Sequence, residues 1–543
     1  MFAALLLTVF RMVVLPVQFP DRQFTHSRQA LEADVARAEA YFNRQFGGGM
    51  TFRFDLAPAA VTLSRPYAWY GADAADRKDV RFGEAVREAL DLQQGQLNLS
   101  LYDNDSDGSV DNICLITAGA GENDGGGEDA FWPQMGLLSS QGGAVTIQGK
   151  RIDRFTSCPE GRPGIFCHEF GHVLGLPALY DTDGPLSGGE SEGLLGTSLM
   201  DEGCLKSVLP DFGAPEFEIL QLGRCDTLSV GRVTLQPLLQ GRRYLKANGT
   251  QEGECFLFSA RDGGLYVWHL DRSDNPAGHS DRLNADLTAR ERWDYGCVND
   301  DPSHPCLRLL PADPTAPGVS GVPFPQAGHS VFGSDTPSAF RFWNGYPSAY
   351  ALTDIRPADD GGVSFEVFRP LVLTDQAVFQ DAAIVRWTTS DRLEDVRGYE
   401  LSWTDGEEEF QMSLGPRTQS CTLEKLLPRT RYHFSLSVLT DSGERFSAAG
   451  DFDTKIYREG SFPYIYLNST LRNLDGSFPS GSKLPLRVFN ATDVQDIRWT
   501  LNGISINPGP DGEFTLMYPG ILKAVILHTD GTSETIVKEV SIK

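Results

Sequence analysis

The residues most able to do chemistry are His168-Glu169-Phe170-Gly171-His172. Two imidazoles four residues apart on a helix share one face, with Cβ atoms about 5–6 Å apart, so a single metal ion can bridge them. The carboxylate one residue after the first His is placed to take a proton from an attacking water. That is the pattern of a zinc hydrolase, with His168 and His172 as ligands of Zn2+ and Glu169 as general base. So short a motif also arises by coincidence, and a lone His on an apolar face is more often a satisfied core residue. The flanks argue for the site. Gly164-Ile165-Phe166-Cys167 leads in and Val173-Leu174-Gly175-Leu176-Pro177 leads out. Apolar residues recur at helical spacing, Gly175 is a natural helix stop, and Pro177 blocks resumption. The motif is expected near the C-terminal end of a helix that is otherwise fit for a core.

A second constellation runs from Asp103 to Asp111, reading DNDSDGSVD. Its oxygens fall at positions 1, 3, 5 and 9 of an EF-hand-like loop, with Gly108 at position 6 where the sharp turn needs it. Cys114 stands where an EF-hand has its bidentate Glu, and a strand follows instead of a helix, so this is not an EF-hand. Three Asp at alternate positions repel one another without a cation. Calcium (Ca2+) is therefore expected on Asp103, Asp105, Asp107, the Ser109 carbonyl and Asp111; the plainer reading is a solvated acidic turn. Glu122, Asp124, Glu128 and Asp129 form another acidic loop, read as a solvated edge with a second metal site as the alternative.

These residues must be carried by a large scaffold. The chain has 543 residues, 41% hydrophobic and 22% charged, enough for about three or four domains. Its formal net charge of −26 speaks against nucleic acid or anionic lipid as partner, because phosphate binding needs a basic face. No apolar run approaches the roughly 18 residues of a membrane span. Met1 to Phe10 has some likeness to a signal-peptide core but lacks a basic start and an obvious cleavage site. The nine cysteines are scattered without CxxC spacing, which argues against a cysteine zinc site. Cys297 and Cys306 close a short loop and are candidates to pair.

Strands and helices alternate over residues 11–120. Leu31, Val35, Ala38, Tyr41, Phe42 and Phe46 share a face of a helix expected over Ser27 to Phe46. Phe52 to Leu56 reads as a strand, Val80 to Leu92 as a helix and Ile113 to Ile116 as a short buried strand. Residues 181–196, rich in Gly, Ser and Asp, read as an irregular loop. Short strands dominate from Cys225 to Phe368, Tyr266 to Leu270 being the clearest. Residues 370–455 carry evenly spaced strand-length segments with Trp387, Tyr399 and Trp403. Leu426, Pro428, Thr430 and Tyr432 make the pattern LxPxTxY of a tyrosine corner. This segment resembles a fibronectin type III domain. Residues 456–543, with Trp499 on a central strand, resemble an immunoglobulin-like or polycystic-kidney-disease-type module.

Residues 12–370 resemble the immune inhibitor A family of secreted bacterial zinc metallopeptidases. The likeness rests on HEFGHVLGLP with Leu179-Tyr180-Asp181, on LPVQFPD from Leu15, and on Tyr67 to Gly71. It rests also on the Asp103 loop, Phe131-Trp132-Pro133, Ser198-Leu199-Met200 and GLYVWHLD from Gly264 to Asp271. The resemblance implies a multidomain chain: an α+β zincin (metzincin-like) catalytic domain at residues 1–224, a β-rich extension at 225–369, and two all-β sandwich domains at 370–455 and 456–543. It implies a secreted or cell-surface endopeptidase acting on proteins or peptides, with Met200 as a hydrophobic floor beneath the metal. It also implies a third ligand six residues after His172, where this chain has Ala178, which cannot ligate. Asp181, Asp183 and the more distant Glu218 are the substitutes, Asp181 being the preferred one. Tyr180 is a candidate to stabilise the oxyanion. The rival reading is a catalytically weak or inactive surface protein that binds glycan or protein through its sandwich modules. Ala178 favours it; the intact His168, Glu169 and His172 oppose it.

Overall fold

A computed structural model describes residues 9–74, 78–326, 328–379, 381–427, 429–455, 463–467, 472–473, 475–489, 491–509 and 512–543. The leader-like residues 1–8 and Pro428 of the tyrosine-corner pattern lie outside these. The chain divides into two compact units, Met1–Phe332 with Leu352–Val367, and Gly333–Ala351 with Phe368–Lys543.

In the first unit, alternation along β1 (Val9–Gln18) sends Phe10, Met12 and Val14 to one face and Val13, Leu15 and Val17 to the other, all of them buried. A strand apolar on both faces belongs inside a covered, mostly parallel sheet. The covering helices are α1 (Arg28–Phe46), α2 (Phe82–Gln93) and α3 (Pro163–Leu174). The other strands are β2 (Thr51–Leu56), β3 (Ile113–Thr117), β4 (Gln134–Leu137) and β5 (Arg154–Pro159). They lie in the order β2-β1-β3-β5-β4, with Val61–Thr62 also paired to β1. All pair in parallel except β4, which runs antiparallel along β5 at the edge. Phe10, Met12 and Val14 pack with α1 and α3, while Val13, Leu15 and Val17 pack with α2.

Helix α1 begins where expected: the Ser27 hydroxyl accepts the Ala30 N–H at 3.2 Å, a cap that satisfies one orphan donor. Its last buried residue is Gln45, while Phe46 is only partly buried. The Gln45 amide is kept inside by bonds from the Phe212 N–H and to Asp211. Helix α3 is anchored through Phe170, which is fully buried and meets the rings of Phe10, Phe42 and Phe54 at centroid distances of 5.5, 4.9 and 4.9 Å. Two residues correspond to about 200° of helix rotation. Burying Phe170 against the sheet therefore turns His168 and His172 away from it.

The rest of this unit holds the short helix α4 (Ala214–Ile219), then β6 (Arg224–Thr227), β7 (Arg243–Asn248), β8 (Glu254–Arg261) and β9 (Gly264–Asp271). Helix α5 (Ala289–Asp294) and β10 (Leu307–Leu310) follow. The strands form one sheet in the order β6-β7-β8-β9-β10. β9 is the GLYVWHLD segment and is buried throughout. All nine cysteines are free thiols, so Cys297 and Cys306 do not pair.

In the second unit, residues 371–453 form antiparallel sheets of three and four strands. Trp387 is buried against Tyr399, with ring centroids 5.3 Å apart. The Tyr432 hydroxyl accepts the Leu427 N–H at 2.9 Å, the bond the LxPxTxY pattern predicts. Beyond it, Val494–Leu501 pairs with Ile504–Ile506 and Gly520–His528, and Ser533–Val540 completes that sheet. Trp499 is buried in this module's own core. Among the described residues no helix is long and apolar enough to cross a membrane.

Candidate functional site

Both histidines of α3 are oriented by main-chain carbonyls. His168 Nδ1 lies 2.9 Å from the Leu199 oxygen and His172 Nδ1 2.8 Å from the Leu176 oxygen. A carbonyl only accepts, so each Nδ1 carries the proton, which leaves each Nε2 with a lone pair to offer a metal. The two rings stand perpendicular with centroids 4.8 Å apart. Burial holds the His168 imidazole neutral, its pKa lowered to about 4, with the neighbouring His172 adding to the effect. His172 is shifted the same way by burial.

Glu169 is buried beside them. Its carboxyl is pushed up to about 8 by desolvation, opposed by a hydrogen bond from the Met135 N–H on edge strand β4. Among the described residues no basic group pairs with it at ion-pair distance. Ionising a carboxyl buried without a counter-charge costs free energy, so the group holds its proton until a cation lowers that cost.

The loop under the helix is built around Met200, which is fully buried. A Cβ on Gly171 would come within 2.5 Å of the Met200 sulfur, so the fourth residue of HEFGH must be Gly for the thioether to sit against the helix backbone. The Met200 N–H bonds the Ser198 hydroxyl at 3.0 Å, and that hydroxyl in turn donates to the Glu216 carboxylate. Glu216 also accepts the Gly213 N–H at 2.8 Å, capping α4. Glu216 thus ties the turn that carries Leu199 and Met200 to α4. Its place three residues after the Gly213 cap is a local pattern, but its bond to Ser198, 18 residues upstream, leaves no local sign.

The candidate third ligands are engaged in bonds of their own. Asp181 accepts backbone N–H bonds from Asp183 at 3.0 Å, Gly184 at 2.8 Å and Ser191 at 2.8 Å. Its carboxylate closes its own loop, as an Asx turn does. Asp181, Asp183 and Asp300 bring oxygens within 4.8 Å of one another. Among the described residues no third His, Cys, Asp or Glu groups with His168 and His172 at that spacing. Glu218 is engaged by the Tyr244 hydroxyl at 2.6 Å and Lys246 at 2.7 Å. The chain is steered away after Pro177 by the Leu179 N–H, which bonds the Met200 carbonyl at 2.8 Å, and by Thr182, which bonds Asp300. The Tyr180 ring lies 5.9 Å from that of His168, its hydroxyl pushed up to about 12 by burial and the Glu169 charge.

The Asp103 loop is arranged differently. Asp103, Asp105 and Asp107 bring oxygens within 4.8 Å of one another. Gly108 has φ +95°, a turn that only Gly makes without strain. Asp103 is buried, and the Lys150 ammonium is bonded to its Oδ2, while its Oδ1 has no hydrogen-bond partner. Asp105 and Asp107 accept the N–H groups of Asp107 and Ser109. Asp111 does not group with the three at that spacing; its Oδ2 takes the Asn104 N–H at 2.7 Å and the Asn104 side-chain amide at 2.9 Å.

Residues 15–210 match the family described as the immune inhibitor A peptidase M6 catalytic domain, and residues 373–450 match the fibronectin type III domain. The chain therefore carries a peptidase M6 domain followed by a β-rich C-terminal region with a fibronectin type III domain. It is 33% identical over 175 residues to Immune inhibitor A of Bacillus thuringiensis subsp. alesti, which is 26% of this chain and 25% of that protein. It is 30% identical over 148 residues to the pre-pro-metalloprotease PrtV of Vibrio cholerae serotype O1 (strain M66-2), which is 22% of this chain and 16% of that protein. The match thus spans a quarter or less of those relatives' own length. Among solved structures, the fibronectin type III domain of human collagen alpha-1(XX) chain aligns with 22% identity and a TM-score of 0.15, over 16% of this chain and 89% of that one.

Proposed function

We propose that this protein is a secreted zinc endopeptidase that cleaves extracellular proteins or peptides at the His168–Glu169–His172 site. The observation that carries the reading is the pairing of two imidazoles, each with its Nδ1 proton spent on a backbone carbonyl, with a buried carboxylate that lacks a counter-charge. The kinship of residues 15–210 with metallopeptidases supports it. His168 and His172 would hold Zn2+ through Nε2. When bound, the metal supplies Lewis acidity toward the scissile carbonyl and acidifies a water. Glu169 takes the proton of the attacking water and delivers it to the leaving amine. A nearby divalent charge would draw the Glu169 carboxyl back toward its ordinary range, so that it works as a base near neutral pH. Tyr180, beside His168, is the candidate donor to the developing oxyanion.

With Ala178 in place of a ligating residue, the protein offers fewer ligands than the three usual for catalytic zinc, and weaker zinc binding follows. Casein cleavage by zinc-loaded wild type and by Glu169→Gln tests the assignment. Loss of cleavage in the variant, with zinc still bound, supports it. Equal cleavage by both proteins, or none by a zinc-loaded wild type, refutes it and favours a surface protein that binds glycan or protein through its C-terminal modules.

A second cation site is proposed on the Asp103 loop, on the strength of its buried, unpartnered Oδ1. A Ca2+ ion there would have to displace Lys150 from Asp103.

A further inference from the structure

In a chain of formal net charge −26, a half-buried cation without an ion-pair partner among the described residues is conspicuous, and Arg272 in the first unit is one. Arg272 follows directly on β9. Its guanidinium lies over the Trp293 ring, 3.9 Å from the centroid. The ring is itself fixed, because its N–H donates to the Asp271 carbonyl at 2.6 Å. Among the described residues, none of the Arg272 side-chain donors has a hydrogen-bond acceptor, and no carboxylate forms an ion pair with it. Its Nε is buried with no partner. Burial lowers the Arg272 pKa, but a guanidinium keeps its proton in a protein, so the charge is retained at a desolvation cost.

This side chain lines a cavity of about 300 Å³ with Gly175, Pro177, Arg290, Trp293 and Asp294. The volume is at the small end of ligand pockets. Arg290 is the second cation; it is half-exposed and pairs with Asp274 at 3.3 Å. Asp294 is the one acid on the wall. Glu218, the other acid whose field reaches Arg272, is engaged by Tyr244 and Lys246. Gly175 and Pro177, also in the lining, flank Leu176, whose carbonyl orients His172. A planar guanidinium stacked on a fixed ring, with its donor edges unspent, matches a carboxylate in a bidentate hydrogen-bonding geometry.

We propose that this cavity is a carboxylate-binding subsite, with Arg272 as the primary contact, Arg290 as the second charge and Trp293 as the platform. In a peptidase the carboxylate would come from an acidic side chain of the substrate or from its C-terminus. That origin rests on the peptidase reading; the anion site itself does not. Arg272 and Trp293 lie beyond residues 15–210, which match the catalytic domain, so the subsite would be supplied by the β-rich extension.

The test is equilibrium binding of short alanine peptides to full-length Glu169→Gln protein, which keeps them uncleaved. One peptide is capped and carries a single glutamate, one is capped with glutamine in its place, and one lacks glutamate but has a free C-terminal carboxylate. One or both carboxylate peptides should bind at least roughly tenfold tighter than the glutamine peptide, as a charge-assisted bidentate contact provides. Which of them does so identifies the source. Adding Arg272→Gln should abolish the preference and adding Arg290→Gln should narrow it. Equal binding of all three peptides overturns the proposal. So does a preference that survives Arg272→Gln; the guanidinium would then merely complement the carbonyl end of α3. If Arg272→Gln fails to fold, an unchanged preference in the folded Arg290→Gln protein also overturns it. A wild type that never cleaves but keeps the carboxylate preference defeats the peptidase reading alone, and one that cleaves without any preference defeats this inference alone.

Discussion

Two of the places in the first unit that gather groups suited to a cation treat charge in opposite ways. In the Asp103 loop the protein supplies its own cation, Lys150, and spends Asp111 on Asn104. At the α3 site no basic group among the described residues pairs with Glu169, and the two imidazoles beside it are held neutral with their outer nitrogens unspent. The lesson is that a cluster of ligand-type side chains is a weaker sign of a metal than a buried site whose charge is left uncompensated. An acidic turn can be satisfied by a lysine and by its own backbone. The buried Glu169, beside two tautomer-locked histidines, meets only the Met135 N–H and is held as the neutral acid until a cation arrives.

The largest expected effect breaks the comparison at its stronger side. Glu169→Gln should lower kcat/KM on a protein substrate by roughly 10²–10⁴-fold, the usual worth of a general base, with zinc content unchanged by metal analysis. Next comes ligand number. Ala178→Asp should restore the missing oxygen and tighten zinc binding by roughly tenfold or more, read by competition with a chelator. An unchanged affinity would mean that position 178 does not face the ion.

The Asp103 loop gives a smaller effect, and one that depends on Lys150. In wild type, melting after chelation should rise only slightly further when Ca2+ is added to Zn2+, because Lys150 holds Asp103 already. Lys150→Met should melt lower without Ca2+ and regain the loss with it, since removing one partner leaves a buried charge. A wild type that depends strongly on Ca2+ would erase the contrast between the two sites.

The gentlest test is pH. Glu169 has a folded pKa near 8, raised above its ordinary value, so the folded metal-free protein binds this proton more tightly than the unfolded chain does. Its favourable contribution is complete below the ordinary carboxyl range and is lost as pH rises through about 8. His168 is shifted the other way, to about 4, so its contribution is complete above the ordinary imidazole range and is lost as pH falls toward 4. Denaturant titrations of metal-free wild type and Glu169→Gln should differ in slope between pH 5 and about 8; parallel curves would contradict the burial of an unpaired Glu169.

Much of this was legible in the sequence wherever the determinants are local. The Ser27 cap, the period-two burial of β1, the helix around HEFGH and the Tyr432 corner are all set by neighbours within a few residues. The outward turn of His168 and His172 follows from one apolar residue, Phe170. What was not legible depends on distant partners. Asp181 could not be assigned because the path after Pro177 is set by Met200 and by Asp300, 118 residues from Thr182. The hold of Glu216 on Ser198 left no local sign. Gln45 is buried beside Phe46, which packs against the core only partly buried, because Asp211 and Phe212 satisfy the Gln45 amide. Nor could the sequence show that Lys150 stands beside Asp103, or that Cys297 and Cys306 remain thiols.

The most direct test of the central claim is an anomalous scattering map at the zinc edge from crystals grown with Zn2+. The account predicts a peak within bonding distance of Nε2 of both His168 and His172, with Glu169 beside it and not bonded to it. A map with no peak there, or with zinc only on the acidic loops, would contradict it.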